Sequence, residues 1–356
     1  MPMQPAKPLV FIVDDVLENI QIALSHLREL DCDFAYATSG EQAIERITAS
    51  RPQLVLMDVM MPGISGFQTA ERLKRNPVTR SIPVIFLTAK ADSEDVARGF
   101  SLGGVDYVVK PFKGVELRSR VRNHLELYAY RTRLTAMVEE RTYAIEQLKD
   151  VIIEAMGEMA EYRDRETGGH IRRTMEYVRI LAETVALNGH YTDLLSREYI
   201  SILYKSAPLH DIGKVAIPDS ILLKPASLTA DEYTIMKNHT IYGEEIISKL
   251  EQMAGQNTAF LKCAKDISGG HHERFDGSGY PRGLKGQDIP LAGRLMTLAD
   301  IYDALICKRV YKPALPHSQA IQIITEENSH AFDPILLEAL LQIQDEFQAI
   351  SRRYAD

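Results

Sequence analysis

Over roughly the first 125 residues, short apolar runs alternate with stretches whose apolar positions recur at helical spacing. Leu9–Val13, Leu54–Met57, Val84–Leu87 and Tyr107–Val109 are continuous enough to predict strands buried on both faces. Between them, Glu18–Leu30 and Glu41–Ala49 predict amphipathic helices, and Ser39 with Gln42 forms a capping signal before the second. Strands alternating with helices predict a doubly wound α/β domain with a parallel sheet. From about residue 151 onward strand-like alternation disappears and helical periodicity dominates, so an all-α domain is expected there. Thr229 with Glu232 marks one helix start and Asp333-Pro334 another. Gly and Pro gather between Gly269 and Pro290, which predicts a functional loop.

Between the two patterns no Pro or Gly interrupts the chain from Leu117, Val121 and Leu125 until Gly157. Arg131, Leu134, Val138, Arg141, Ile145, Leu148, Ile152 and Ala155 recur at alternating steps of three and four, a heptad seam carrying two arginines. Two readings fit: a coiled coil that makes a homodimer, or a single helix packed on its own domain. The division expected is therefore 1–125, a helical linker over 126–150, and 151–356.

The length of 356 residues agrees with two cores plus a connector. A net charge of −8 argues against a broad DNA-binding surface, which needs clustered Lys and Arg, although a small phosphate ligand remains compatible. Cys32, Cys263 and Cys307 are scattered and form no Cys-x-x-Cys pair, so neither a disulfide framework nor a zinc knuckle is expected. The segment Met1–Pro8 has no apolar run, and no stretch approaches the length of a membrane span; a soluble, cytoplasmic protein without membrane insertion is expected.

The residue after each N-terminal strand carries chemistry: Asp14 and Asp15, then Asp58, Thr88, and Lys110-Pro111. Ligands of open parallel sheets collect at the carboxyl edge of the strands, so these residues should converge. Three carboxylates beside a lysine and a threonine suit Mg²⁺ and a phosphoryl group. In this order they make the domain resemble the receiver domain of two-component response regulators over its whole length. The resemblance implies Asp58 as phosphoacceptor, Asp14 and Asp15 as Mg²⁺ ligands, Thr88 and Lys110 as the pair that senses the acyl phosphate, and a sensor histidine kinase as partner. Tyr107 stands where that family keeps its switch aromatic; a packed strand tyrosine is the plainer alternative.

In the C-terminal part His210-Asp211-Ile212-Gly213-Lys214 is answered by His271-His272-Glu273 and the run to Gly279-Tyr280-Pro281. Imidazoles with carboxylates suit transition ions, and a lysine beside them suits a phosphate. Glu166 and His170, four apart, would share a helix face if the helix persists through Gly168-Gly169. His239 and Asp300, each unremarkable alone, complete a set. These motifs, with Gly283-Leu284-Lys285-Gly286 and Asp300-Ile301-Tyr302-Asp303-Ala304-Leu305, resemble the HD-GYP subset of HD-domain phosphohydrolases.

That resemblance implies Glu166, His170, His210, Asp211, His239, His271, His272 and Asp300 as ligands of two or three divalent ions of the Fe, Mn, Ni or Zn class. It implies Lys214, Arg309 and Lys312 as phosphate contacts, Tyr280 at the groove, and protein partners at the Gly-Tyr-Pro loop. The activity implied is hydrolysis of cyclic di-GMP to pGpG and on to GMP, with Asp211 bridging two metals that activate water and Lys214 balancing charge on phosphorus. Two alternatives stay open: a cyclic di-GMP sensor or adaptor with little turnover, and a hydrolase for another cyclic dinucleotide. Asp303 is read either as a residue orienting a ligand or as a helix-surface aspartate.

Overall fold

A computed structural model of the chain describes residues 7–89, 93–164, 169–255, 258–307 and 314–355. It divides into two compact units, Met1–Thr142 and Tyr143–Asp356.

In the first unit β1 (Leu9–Val13), α1 (Leu17–Leu27), β2 (Asp33–Ala37), α2 (Gly40–Ser50), β3 (Leu54–Asp58), α3 (Gly66–Arg75), β4 (Val84–Thr88), α4 (Ser93–Ser101) and β5 (Asp106–Val109) alternate, followed by α5 (Gly114–Asp164). The five strands are parallel in the order β2-β1-β3-β4-β5, the flavodoxin-like arrangement. Alternate residues of the central strands serve the two faces. Phe11, Val55, Met57 and Phe86 pack with Ile47, Phe67 and Leu73 on one side. Val10, Ile12, Leu56 and Ile85 pack with Ile20, Leu27, Leu117 and Val121 on the other. Helices on both faces explain why β1, β3 and β4 are apolar without interruption.

Two local expectations change. The first helix ends at Leu27 rather than Leu30, where the chain turns into β2. Strand β2 itself was not anticipated: it is an edge strand in which only Ala37 is fully buried, so its sequence lacks an apolar run. Ser39 caps α2 as expected, accepting from the Gln42 backbone, and a capping box of Ser65 and Gln68 opens α3.

The second unit is helical: beyond the end of α5 come α6 (His170–Leu187), α7 (Arg197–Ser206), α8 (Asp219–Leu222), α9 (Ala230–Lys237), α10 (His239–Ala254), α11 (Ala259–Gly270), α12 (Leu291–Ile306), α13 (His317–Gln322), α14 (Pro334–Gln342) and α15 (Gln344–Arg353). No strand occurs among its described residues. The capping box of Thr229 with Glu232 and the Asp333 cap before Pro334 both form. Its main core joins α6, α7, α11, α12 and α14 through residues such as Tyr177, Leu181, Leu203, Ile267, Met296, Tyr302 and Leu340.

Gly157 does not end α5. A Cβ there would lie 2.6 Å from the Pro208 carbonyl, so the glycine lets the helix lie against that turn. Ile153 and Ala160 of α5 are buried with Leu209, Ile212 and Ile247. The heptad seam lies on another face: Val138, Ile145 and Ile152 are 57%, 66% and 50% exposed. No described helix is long and apolar enough to cross a membrane.

Candidate metal centre

The motif His210–Lys214 sits where α7 gives way to two short 3-10 turns, Ala207–Leu209 and Ile212–Ala216. The second turn lies directly on the start of α10, because a Cβ on Gly213 would meet the His239 carbonyl oxygen at 1.9 Å. His239 opens α10, His271 caps the end of α11 and His170 opens α6, so helix ends aim these rings inward.

Backbone carbonyls set the tautomers. Nδ1 of His210 lies 3.0 Å from the Ala207 oxygen, Nδ1 of His239 2.8 Å from the Met236 oxygen, and Nδ1 of His271 3.0 Å from the Ser268 oxygen. A carbonyl only accepts, so each Nδ1 carries a hydrogen, which leaves Nε2 as the nitrogen with a lone pair to offer a metal. Those lone pairs converge. His239 and His271 face each other Nε2 to Nε2 at 3.4 Å, as do His170 and His210.

Asp211 stands between the two pairs. Its Oδ1 lies 3.2 Å from His239 Nε2 and 3.5 Å from His271 Nε2, is buried and has no hydrogen bond. Its Oδ2 lies 3.3 Å from His210 Nε2 and 2.8 Å from Lys214 Nζ. Asp211, His239, His271 and His272 offer ligand atoms within 4.8 Å of one another, and so do Glu161, His170 and His210. Acceptors buried against acceptors are unfavourable unless a cation lies between them, and a carboxylate oxygen without a donor points the same way. The residues present therefore fit divalent ions, which HD domains bind.

The electrostatics favour neutral imidazoles at His239 and His272. Burial pushes His239 down to about 4, with Asp211 opposing and His271 adding. Burial, then His271 and His239, hold His272 well below the usual histidine range. Burial alone would raise the Asp211 carboxyl, but Lys214 and His210 keep it well below the ordinary carboxylate range. His210 moves up despite its burial, because Asp211 lies against it; a proton and a metal compete for that nitrogen.

Of the other expected ligands, Asp300 on α12 stands 3.7 Å from His170 Nε2, just outside both groups. Glu166, Arg309 and Lys312 lie outside the described residues. The helix face expected to be shared by Glu166 and His170 therefore lies outside the described residues too; His170 itself opens α6. Glu161 was not anticipated. It is a buried carboxylate on the face of α5 that carries Ile153 and Ala160, and its Oε1 lies 3.4 Å from His170 Nε2. A charged residue within that otherwise apolar stripe was the available signal. Asp303 is no surface residue: it is 1% exposed and its Oδ2 accepts from His170 Nδ1 at 2.8 Å.

Tyr280 covers the rim, its ring centroid 4.7 Å from that of His272. The loop around it is held from within by Glu273, which accepts from the Arg282 and Leu284 backbone nitrogens at 2.7 and 2.9 Å. Gly279 is required there, because a Cβ would fall 2.3 Å from the Arg274 nitrogen.

In the first unit the strand ends converge as expected. Asp14, Asp15 and Asp58 place carboxylate oxygens within 4.8 Å of one another. Lys110 Nζ lies 2.6 Å from Asp14 and 2.8 Å from Asp58. Burial raises the Asp58 carboxyl beyond what Lys110 lowers, and such a trio suits a hard cation. Thr88 is buried at the end of β4. Tyr107 is half-buried on β5, edge-on to Phe100 at 6.3 Å.

Comparison with known proteins fits this division. The model of the HD domain matches residues 152–336 and that of the response regulator receiver domain matches residues 10–122. A Vibrio cholerae protein named "Probable cyclic di-GMP phosphodiesterase" is 45% identical over 98% of this chain and 80% of its own length. The cyclic di-GMP phosphodiesterase response regulator RpfG of Xanthomonas campestris is 34% identical over 97% of this chain and 90% of its own. A cyclic di-GMP phosphodiesterase of Thermotoga maritima is 33% identical over 98% of this chain and 93% of its own. Among solved structures, a response regulator from Desulfuromonas acetoxidans is 29% identical and covers 34% of this chain and 98% of its own, with a TM-score of 0.32.

Proposed function

Since the chain belongs to the HD-domain family and carries a response regulator receiver domain ahead of its HD domain, we propose that it is a metal-dependent phosphodiesterase. It hydrolyses cyclic di-GMP to pGpG and then to GMP, under control of phosphoryl transfer to Asp58. One observation carries the reading: Asp211 turns one oxygen to His239 and His271 and the other to His210 and Lys214. A phosphodiesterase centre needs such a shared carboxylate with a cation beside it.

Bound divalent ions of the Fe, Mn, Ni or Zn class supply Lewis acidity and a water nucleophile at neutral pH. His170, His210, Asp211, His239, His271, His272 and Asp300 hold them, two or three in number, with Glu166 as a further ligand. The chain's own residues do the rest. Asp211 keeps the two groups in register. Lys214, whose ammonium already lies at the Asp211 carboxylate, faces the charge that grows on the non-bridging phosphate oxygens. Tyr280 borders the groove, and Arg309 and Lys312 bind the phosphates.

In the receiver, residues 1–125, Asp14 and Asp15 hold Mg²⁺ and the Asp58 carboxylate attacks the phosphoryl donor of a sensor histidine kinase. Thr88, Lys110 and Tyr107 read the result. The linker 126–150 forms a homodimer through its exposed seam, and the output domain is 151–356. The Gly-Tyr-Pro loop serves protein partners, and the protein works in the cytoplasm.

The test is turnover. Protein loaded with Mn(II) or Fe(II) is incubated with cyclic di-GMP, 3'3'-cGAMP and cyclic di-AMP, with and without acetyl phosphate, and the products are separated by chromatography. Formation of pGpG from cyclic di-GMP supports the reading. Binding without turnover at full metal occupancy would make the protein a sensor, and faster turnover of another dinucleotide would reassign the substrate.

A further inference from the structure

We propose that Asp303 and Arg173 are positioning residues that fix His170 as a metal ligand, and that the backbone carbonyl of Tyr354 locks Arg173 in place. The inference rests on the metal-centre reading and adds a link from that centre to the end of α15.

The geometry is a closed fork. Arg173 Nε donates to Asp303 Oδ1 at 2.7 Å and its Nη2 donates to Oδ2 at 3.0 Å. The same Oδ2 accepts from His170 Nδ1 at 2.8 Å, and Cys307 Sγ lies 3.6 Å from it. The remaining arm of the guanidinium, Nη1, donates to the Tyr354 carbonyl at 2.9 Å. Arg173 and Asp303 are each 1% exposed, so solvent does not loosen the arrangement. A planar fork on a carboxylate leaves it one orientation, and the third contact removes the remaining freedom of the arginine.

His170 is distinguished by this support. His210, His239 and His271 are backed by neutral backbone carbonyls, whereas His170 is backed by a carboxylate. A carboxylate partner at Nδ1, itself held by the Arg173 fork, fixes the hydrogen there and makes Nε2 a better donor to a metal. That Nε2 points at Glu161 and His210, both 3.4 Å away. Stability does not account for the pair, because a buried ion pair is commonly matched by apolar residues of similar volume.

The experiment is a metal titration of the full chain stripped of metal, with Mn(II) as the probe and free ion counted by electron paramagnetic resonance. In the wild type two classes of site are expected besides that of the receiver carboxylates, which is identified by its loss in Asp15→Asn. Asp303→Asn should weaken one class by about 10–100-fold, the range for loss of such a supporting partner. The class belonging to Asp211, His239 and His271 should keep its affinity, and Asp303→Glu should restore part of the loss. A chain ending at Ile350, which lacks the Tyr354 carbonyl, should weaken the same class by several fold with its helical circular dichroism intact.

Wild-type stoichiometry and affinity in both Asp303→Asn and the shortened chain would overturn the proposal. Should Asp303→Asn not fold, the ¹⁵N spectrum of histidine in the metal-free wild type decides: hydrogen on Nδ1 of His170 supports the proposal, and hydrogen on Nε2 alone overturns it. A wild type that binds no divalent ion outside the receiver site would instead bring down the metal-centre reading.

Discussion

Replacing Gly213 by alanine tests whether the second half of the His210–Lys214 motif is chemical or steric. The backbone at Gly213 is not in the left-handed region, so alanine adds no torsional strain of that kind. The difficulty is space. The new Cβ would stand 1.9 Å from the His239 carbonyl oxygen and 2.5 Å from the Gly243 nitrogen, where an ordinary contact is about 3.5 Å. Both neighbours are backbone, so neither can rotate aside. Nor can α10 retreat freely, because a Cβ on Gly243 would itself fall 2.0 Å from Ser268 Oγ on α11.

The 3-10 turn and α10 must therefore separate by roughly 1.5 Å, the shortfall from normal contact. That opens the 3.2 Å gap between Asp211 and His239. Overpacking of this sort costs about 1–3 kcal/mol, and misplacement of a reacting group by about 1 Å costs on the order of 100-fold in rate. Urea unfolding, bound metal and cyclic di-GMP turnover should thus all change in Gly213→Ala. A variant with wild-type metal content and turnover would show that the Asp211–His239 spacing does not govern the site.

Asp211→Asn should lower bound metal at both groups and abolish turnover, as measured by elemental analysis and product formation; full metal content would refute its place as the bridge. Asp58→Asn should take up no phosphoryl group from acetyl phosphate, and its turnover should no longer respond to the donor; labelling elsewhere in the receiver would refute the assignment. His317 Nδ1 lies 2.7 Å from the Tyr302 hydroxyl, and its pKa is lowered, chiefly by burial and then by Arg352 against Asp345. A histidine depressed in the folded state gives stability that is present above its unfolded value, about 6.5, and lost as pH falls below it. The melting temperature of the wild type should therefore drop more between pH 7.5 and 5.5 than that of His317→Gln; parallel curves would exclude the coupling.

Much of the architecture is legible because burial writes itself into composition. β1, β3 and β4 lie under helices on both faces and read as apolar runs, whereas β2, at an edge, keeps mostly half-exposed residues and left no such mark. His210, Asp211, His271 and His272 are legible because their chemistry clusters in two motifs. Their supports are less so: Glu161 shows only as a charge within an apolar stripe of α5, and Arg173 meets Asp303 from 130 residues away, a contact that no local pattern encodes. One position of the seam has a partner that the sequence does not reveal. Arg131, taken as a blemish in the heptads, donates through Nη2 to the Ser81 carbonyl at 2.9 Å and is occupied within the first unit.

The charge balance of the centre gives the order of events in substrate capture. Among its described side chains Asp211, Glu161 and Asp300 are carboxylates, Lys214 supplies one ammonium, and His239 and His272 are held neutral by burial. Without metal, three carboxyl groups face one ammonium, and Lys214 is already engaged by Asp211 at 2.8 Å, an arrangement that disfavours a phosphodiester. Bound divalent ions would supply the positive charge that this centre lacks for a phosphodiester. Metal loading is then a condition for binding cyclic di-GMP as well as for cleaving it. Protein stripped by a chelator should lose measurable affinity for the dinucleotide in calorimetry and regain it with Mn(II). Undiminished affinity in the stripped protein would place the phosphate contacts away from this centre.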